Sequence, residues 1–278
     1  RDNSAAKTAV LDAPCELEMD SDFPRLDGAT ALYPVYSAFA KAVYPEQIQC
    51  DEGYLTCSKT TGAYEKIVSG EADMIFVAAP SDEQMKYAEN SGVELEFTPI
   101  GKEAFVFFVN SKNPFENITV DQIKDIYSGK TNKWSQLGVS GLGKIKAYQR
   151  NEGSGSQSAL IRLMDGTPLA EPMQEDVSGG MGDIIQRVAV YKNHKNALGF
   201  SFRFYSTNMV QSNQIKLLSV NGVKPVRENI ENGTYPISDD FYAVTRKDKT
   251  ENTARLLEWI KGAQGKELIE KTGYTAVK

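Results

Sequence analysis

The sequence predicts an α/β protein with two domains, and three observations support this prediction. The chain has 278 residues, against roughly 150 for a typical domain. Short apolar runs alternate along it with segments of helical periodicity, which is typical of α/β proteins with largely parallel sheets. No low-complexity linker interrupts this alternation, so we expect the two domains to share crossing strands.

The apolar pattern predicts the individual elements in order along the chain. Helical spacing from Leu32 to Val43 predicts the first long helix. Continuous apolar runs over 73–78 and 104–109 predict strands that are buried on both faces. A capping-box pattern at Thr119 predicts a helix that ends at Tyr127. We also predict helices over 63–70, 81–92, 157–164, 183–191 and 252–271, strands over 144–148, 198–202 and 240–245, and crossing strands over 104–109 and 241–245.

Composition and charge exclude several classes of protein. The net charge is −6, whereas a nucleic-acid-binding protein needs a basic surface for its phosphate contacts. The chain contains no run of about 18 apolar residues, so we expect no membrane-spanning helix. His194 is the only histidine and no Cys-x-x-Cys pair is present, so we expect neither a metal site nor a cofactor.

The N-terminal segment and the cysteines leave alternatives open. Residues 1–23 have no clear hydrophobic period, and we interpret them as a tail or an adapted first strand. The first residue is arginine, which indicates a trimmed chain from which a signal peptide or lipid anchor has been removed. Cys50 and Cys57 either close a short disulfide loop or remain two buried thiols. With Cys15 the count is odd, so at least one cysteine is unpaired within the chain.

Three segments place small or hydroxyl residues directly before a predicted helix. A helix N-terminus offers unpaired N–H groups and a partial positive charge, which suit an anion. Arg150, four residues before Ser154, adds a guanidinium group that matches oxyanion geometry. Helix capping alone is the alternative interpretation of each segment. The segments are Gly28-Ala29-Thr30-Ala31, Thr60-Thr61-Gly62-Ala63 and Gly153-Ser154-Gly155-Ser156.

Nucleotide-binding and catalytic interpretations of the same glycines and serines fail. Position 124 is lysine, so Gly129-Lys130-Thr131 lacks the upstream glycine of a P-loop. Ser158 stands where a dinucleotide-binding fingerprint requires glycine. A serine hydrolase using Ser154 would need a base, and Ser156 replaces the last glycine of a nucleophile elbow. We therefore expect a binding protein and not an enzyme.

Four longer motifs resemble the phosphate-binding proteins of bacterial phosphate ABC importers. The resemblance extends from about residue 25 to residue 277. It implies a two-lobed type II periplasmic-binding-protein fold, α/β in class, with mixed, mainly parallel sheets joined by two crossing strands. After a tail of 1–23, the implied lobes are 24–106 with 240–278, and 107–239. The motifs are Asp27-Gly28-Ala29-Thr30-Ala31-Leu32-Tyr33-Pro34, Arg150-Asn151-Glu152-Gly153-Ser154-Gly155-Ser156, Asn232-Gly233-Thr234-Tyr235-Pro236 and Glu270-Lys271-Thr272-Gly273-Tyr274.

The resemblance also implies which residues bind the anion. In the first lobe the implied ligands are Thr30, the amide of Ala31, and Thr60 with Thr61 next to it. In the second lobe they are Arg150, Ser154, Gly155 and Ser156, with serine replacing the family's threonine at the last position.

The resemblance also implies acidic residues at the site, and this sequence matches the family at only one of the two positions. Glu152 corresponds to a residue that pairs with the arginine in the family; an exposed loop charge is the alternative. Ala78 stands where the family often has an aspartate that accepts the proton of hydrogen phosphate. Asp82 either substitutes for that acceptor or caps a helix. A site built from donors discriminates poorly against a fully ionised anion, so we expect only modest selectivity for phosphate over sulfate.

These inferences predict an extracytoplasmic solute-binding protein for a small tetrahedral oxyanion, with inorganic phosphate as the favoured ligand. The anion would bind between two lobes that close around it by a hinge motion. Its partner would be a membrane ABC permease. The protein would be a monomer in the periplasm, or a lipoprotein at the outer face of the cell membrane. One alternative is a stand-alone binding or sensory module for sulfate or a phosphorylated small molecule, which the alanine at position 78 favours. A serine hydrolase is the other.

Overall fold

The computed structural model describes residues 8–49, 51, 53–172, 177–179, 185–186, 188, 195–209 and 213–277. The chain forms two units, one of Arg1–Lys102 with Asp240–Lys278 and one of Glu103–Asp239. Strands and helices alternate along it, which confirms the predicted α/β class. The predicted helix over 183–191 lies almost entirely outside the described residues. None of the described helices is both long enough and apolar enough to span a bilayer.

The strands and helices are numbered in chain order. The strands are β1 (Leu26–Gly28), β2 (Met74–Ala78), β3 (Leu95–Asn110), β4 (Asn117–Ile118), β5 (Lys146–Ala147), β6 (Gln149–Arg150), β7 (Val177–Ser178), β8 (Ala197–Phe202), β9 (Ile215–Leu217), β10 (Ser219–Val220), β11 (Ser238–Arg246) and β12 (Thr275–Ala276). The helices are α1 (Tyr33–Val43), α2 (Glu46–Gln49), α3 (Lys59–Ser69), α4 (Asp82–Asn90), α5 (Val120–Tyr127), α6 (Gly155–Met164), α7 (Arg227–Glu231), α8 (Glu251–Lys261) and α9 (Ala263–Lys271).

In the first unit, β2 is the central strand, because β1 pairs with it in parallel and β11 pairs with it antiparallel. All five of its residues are buried, as an apolar run covered on both faces predicts. The buried face of α3 packs against this sheet through residues at helical spacing. The short strand β12 pairs antiparallel with β3 at Gly101 and Lys102.

In the second unit, β3 continues from Phe105 and pairs antiparallel with β8 and β9. The strand β5 pairs with β8 in parallel, so the sheet is mixed. Two short parallel pairs, β4 with β10 and β6 with β7, form separate two-stranded sheets. Both unit boundaries fall inside long strands, β3 and β11, so the chain passes from one unit to the other without a loop.

The C-terminal helix predicted over 252–271 is two helices, α8 and α9, and the single-helix prediction is wrong. Gly262 lies between them with extended backbone, φ −75° and ψ −175°. The second helix then packs closely against the end of the first, since a Cβ on Gly265 would lie 2.1 Å from the carbonyl oxygen of Ile260. Glycine is therefore required at this contact.

The N-terminal segment forms no strand in its described part, residues 8–23. It lies instead along α8 and α9 and bonds to their side chains. The Glu16 N–H donates to Oε1 of Gln264 at 2.9 Å, and the amide of Gln264 donates to the Pro14 carbonyl at 2.7 Å. The guanidinium of Arg255 donates to the Glu18 carbonyl at 2.8 Å. Side-chain bonds to α8 and α9 thus replace the sheet pairing of an adapted first strand.

Candidate functional site

In the first unit, the predicted ligands lie on two segments that lead into helices and include their first turns. The first loop, Gly28–Ala31, follows β1 and is tied to the neighbouring strand where the Ala29 N–H donates to the Phe76 carbonyl at 2.9 Å. A 3-10 turn over Thr30–Leu32 then leads into α1. The second loop, Thr56–Thr61, leads into α3 and forms its first turn. We call these two segments the unit-1 loops.

The first unit-1 loop begins at a glycine because the backbone has no room for a side chain there. A Cβ on Gly28 would lie 2.5 Å from the Phe76 carbonyl oxygen and 2.9 Å from Cε1 of Tyr36. Tyr36 itself is stacked on the Phe76 ring at a centroid distance of 5.2 Å. The glycine therefore lets the loop follow the end of the sheet closely.

The helix α3 begins at Lys59, four residues before the predicted start, and its last residue is Ser69. The predicted glycine at its end, Gly70, is the C-cap and has the left-handed conformation. Its first turn is Lys-Thr-Thr-Gly, which has no apolar period, so the pattern begins only at Ala63. Thr60 and Thr61 consequently lie in the first turn and not ahead of the helix. Thr60 is buried and Thr61 is exposed.

Neither helical segment that follows a unit-1 loop is capped by a side chain. Ala29 and Ser58 occupy the N-cap positions, and neither side chain makes a capping hydrogen bond. Elsewhere in the chain, Ser81 caps α4 and Thr119 caps α5, each in a complete capping box. The first N–H groups of an uncapped helix need another acceptor, and an anion supplies one.

The carboxylate of Asp27 lies beneath both unit-1 loops and is fully buried. It accepts hydrogen bonds from the N–H of Gly28 at 2.6 Å and of Ser58 at 2.7 Å. It also accepts from the hydroxyls of Ser58 and Thr56, and it pairs with the ammonium of Lys66 at 3.0 Å. Burial alone would raise the pKa of this carboxyl, but these bonds outweigh it and hold the pKa below its usual value.

Cys57 is a residue of this region that sequence reasoning did not assign to the site. Its thiol is free and exposed, and its Sγ lies 3.8 Å from both Oγ1 of Thr30 and the Gly28 carbonyl oxygen. The free thiol of Cys57 contradicts the predicted disulfide loop with Cys50, and its exposure contradicts the alternative of two buried thiols. Cys50 itself lies outside the described residues. The contact joins residues 27 positions apart, and no sequence pattern signals it.

In the second unit, Ser154 occupies the N-cap of α6. Its hydroxyl accepts a hydrogen bond from the Gln157 N–H at 3.2 Å, so the capping interpretation is correct for this residue. The capping hydroxyl still has its own proton to donate. The N–H groups of Gly155 and Ser156 have no partner within the helix. The turn before α6 contains Gly153 at φ +77°, a conformation that favours glycine.

Two buried glutamines place Arg150 beside the N-terminus of α6. Oε1 of Gln157 accepts from the Arg150 N–H at 2.9 Å, and its amide nitrogen donates to Oε1 of Gln149 at 3.0 Å. Gln149 in turn donates to the Ala170 carbonyl at 2.9 Å. Sequence reasoning missed both glutamines, because a buried amide pair across a strand and a helix has no local pattern.

Ser156 carries the most informative polar atom of this region. The residue is fully buried in the first turn of α6. Its Oγ has no hydrogen-bond partner within the described chain, whereas buried hydroxyls in proteins are almost always bonded. An unbonded buried hydroxyl costs about 1–3 kcal/mol, so a ligand oxygen that accepts its proton would recover this energy.

The structure also describes the three positions that concern an acidic group, 152, 78 and 82. Glu152 is exposed in the loop before α6, and its pairing with Arg150 stays a prediction. Ala78 is the last residue of β2. Ser81 and not Asp82 is the N-cap of α4, and Asp82 is exposed in the first turn of that helix. The capping role expected for Asp82 is therefore wrong.

The chain is similar in sequence to a known protein family. The family model described as a PBP superfamily domain matches residues 22–264. The phosphate-binding protein PstS of Staphylococcus saprophyticus is 27% identical over 210 residues, which cover 73% of this chain. The chain spans 64% of that relative, less than two thirds of its length. The phosphate-binding protein PstS of Bacillus subtilis is 25% identical over 257 residues, 91% of this chain and 80% of that protein.

Among solved structures, an ABC-type phosphate transport receptor from Vibrio cholerae has a similar fold. The TM-score is 0.68 at 21% identity, over 91% of this chain and 99% of that one. This likeness supports the two-unit α/β architecture. Since the family model covers most of the sequence, the chain belongs to the PBP superfamily.

Proposed function

We propose that this protein binds inorganic phosphate through Thr30, Ala31, Thr60 and Thr61 of the first unit and Arg150, Ser154, Gly155 and Ser156 of the second. The observation that carries the proposal is the buried, unbonded hydroxyl of Ser156 at the N-terminus of α6. Such a hydroxyl is suited to donate to an anion that also accepts from the neighbouring helix amides.

The chemistry of the remaining donors supports the same ligand. The helical segments after the unit-1 loops begin without side-chain caps, and β6 ends at Arg150, whose guanidinium can bind two oxygens of one oxyanion. A tetrahedral anion offers several oxygens as acceptors. Both curated relatives described above are named phosphate-binding proteins.

The biological role that we infer is capture of phosphate outside the cytoplasm and its delivery to a membrane ABC permease. The similar structure from Vibrio cholerae is described as a transport receptor. Binding and release, without a covalent step, are sufficient for this role. We further propose a monomer, located in the periplasm or held by a lipid anchor.

Calorimetric titration of protein that has been stripped of bound anions tests the ligand. Phosphate, arsenate and sulfate would each be titrated at one ionic strength, because arsenate matches phosphate in shape and protonation whereas sulfate is fully ionised. We expect saturable binding of phosphate and arsenate. A flat phosphate isotherm would contradict the proposed function.

The variant Ser156→Ala is expected to weaken phosphate binding by about 1–2 kcal/mol, because one hydroxyl donor is removed while the backbone amides remain. The free energy of unfolding of the ligand-free protein should stay unchanged or rise, since the hydroxyl has no partner to lose. Calorimetry with phosphate and urea unfolding without it measure the two effects separately.

The matched control for this prediction is Ser201→Ala in β8. Its hydroxyl is also fully buried and also lacks a bonding partner within the described chain, but it is not among the proposed ligands. We expect unchanged phosphate affinity. Equal affinity losses in both variants would indicate an indirect effect and remove Ser156 from the site.

The variant Ala78→Asp is expected to raise the preference for phosphate over sulfate by about tenfold to a hundredfold, because a carboxylate there would repel a fully ionised anion. It tests the prediction that the wild type discriminates only modestly. Ala78→Asn supplies a side chain of the same shape without the charge and should leave the preference low. Strong rejection of sulfate by the wild type would contradict the prediction.

A further inference from the structure

The carboxylate of Asp27 connects the two unit-1 loops, although no anion contact is proposed for it. Oδ1 accepts two backbone N–H groups, one from Gly28 in the first loop and one from Ser58 in the second. These two residues are far apart in the sequence. One buried oxygen atom therefore fixes the distance between the backbones of both loops.

The second oxygen, Oδ2, is equally occupied. It accepts the hydroxyl of Ser58 at 2.7 Å and the hydroxyl of Thr56, and it pairs with Lys66 of α3 at 3.0 Å. Lys66 also donates to Oγ1 of Thr56 at 3.1 Å. These donors together use the accepting capacity of a carboxylate, so Asp27 is not available to accept a proton from a ligand.

The hydroxyl of Ser58 bonds to Asp27 and makes no capping bond to α3. Serine at an N-cap position ordinarily accepts from an amide in the first turn of its helix. Here the hydroxyl is a donor to Asp27, and no capping bond forms. The carboxylate thus orients Ser58 and with it the segment that leads into α3.

The charge of Asp27 is compatible with an anion nearby because it is neutralised locally. Lys66 is the cation that pairs with it, and the hydrogen bonds hold its pKa below the usual value. The group is therefore ionised throughout the neutral range, and its negative charge is directed at donors of the protein. A buried carboxylate without these partners would repel the ligand.

We propose that Asp27 is a positioning residue for anion binding: it holds the segment Thr56–Ser58 against Gly28–Ala31, so that the hydroxyl of Thr30 and the first turn of α3 face the same anion. This inference rests on the proposed phosphate binding. Cys57 lies between two residues that bond to Asp27, and its exposed thiol reports on the position of this segment.

The experiment compares Asp27→Asn with Asp73→Asn in a chain that carries Cys15→Ser and Cys50→Ser, so that Cys57 is the only thiol. Asp73 is the matched control because it is also a bonded aspartate of the first unit. It accepts from the N–H of Arg25 at 2.8 Å and from its guanidinium at 2.9 Å, and it contacts neither unit-1 loop through an observed side-chain bond. Phosphate affinity and the rate of Cys57 alkylation by a maleimide are measured for each.

For Asp27→Asn we expect the phosphate dissociation constant to rise by about tenfold or more, since an amide cannot accept all the bonds that the carboxylate accepts. The alkylation rate of Cys57 should rise severalfold as the segment is released. Asp73→Asn should change neither quantity by more than about twofold, because its effect is confined to stability. Unchanged affinity and an unchanged alkylation rate in folded Asp27→Asn would overturn the proposal.

If Asp27→Asn does not fold, Ser58→Ala provides the same test with a smaller change, because it removes one donor to Asp27 and no capping bond. We expect about a threefold to tenfold loss of phosphate affinity, by analogy with one neutral hydrogen bond, and faster alkylation of Cys57. An unchanged Ser58→Ala would again overturn the proposal. A wild type that does not bind phosphate contradicts the proposed function, whereas the alkylation rates still test Asp27 alone.

Discussion

Replacing Arg150 by alanine is expected to weaken phosphate binding by about 2–4 kcal/mol, roughly 30-fold to 1000-fold, which exceeds the loss from removing any single proposed hydroxyl donor. Arg150 is the only cationic side chain among the proposed ligands. Bonds between two charged groups are about twice as strong as neutral ones. The residue ends β6, and Gln157 fixes its backbone N–H at 2.9 Å, so the loss should reflect the side chain alone.

Calorimetry with phosphate on Arg150→Ala, Arg150→Lys and Arg162→Ala measures this effect. Lysine keeps the charge but loses the planar fork, so its affinity should lie between those of the wild type and Arg150→Ala. Arg162→Ala is the charge-matched control, since this arginine of α6 pairs with Asp239 at 3.1 Å. An unchanged isotherm for Arg150→Ala would remove this residue from the site.

Local sequence patterns predicted the parts of the fold that local chemistry determines. The apolar run over 73–78 contains a strand, Met74–Ala78, that is fully buried, as expected for a strand covered on both faces. The capping box at Thr119 is formed as predicted. By contrast, the break at Gly262 depends on how closely α9 packs against Ile260, and helical periodicity alone continues through it.

The candidate site likewise has a part that the sequence predicted and a part that only the folded chain shows. Glycine and serine clusters before helices are visible in sequence, and Ser154 does occupy a helix N-terminus. The groups that position them make contacts distant in sequence: Asp27 bonds to Ser58, and Cys57 lies near Thr30. Neither contact has a spacing rule, so both required the folded chain. The same is true of the bond from Arg150 to Gln157, since a glutamine in a helix ordinarily indicates an exposed face.

A second large effect is expected at Glu103, the first residue of the second unit, whose carboxyl is buried in β3. Oε1 accepts from the Ala104 N–H at 2.8 Å, and Oε2 accepts from the Phe204 N–H at 3.3 Å. Burial raises the pKa of Glu103 to about 8, because these bonds and the nearby Arg203 only partly offset the loss of water. Sequence reasoning gave no indication of this group, as a single glutamate in a strand ordinarily lies on an exposed face.

The raised pKa determines how stability depends on pH. Below the ordinary glutamate value of 4.5, the carboxyl is protonated in both the folded and the unfolded chain. Between about pH 4.5 and about pH 8 the folded chain keeps a proton that the unfolded chain has released. The contribution of Glu103 to the free energy of unfolding therefore falls as the pH rises through this range. The slope approaches about 1.4 kcal/mol per pH unit and sums to on the order of 4–5 kcal/mol.

The variant Glu103→Gln removes this titration and should therefore remove the corresponding slope. Urea unfolding of the ligand-free protein at intervals from about pH 4.5 to about pH 8.5 gives the free energy of unfolding of both proteins. We expect the difference, variant minus wild type, to increase with pH across this range and then to level off. The substituted amide would add a constant offset, because its NH₂ group faces backbone donors, but an offset leaves the slope of the difference unaffected. Parallel pH profiles for the two proteins would show that Glu103 is ionised with its ordinary pKa in the folded chain, and that water or Arg203 compensates its burial in full.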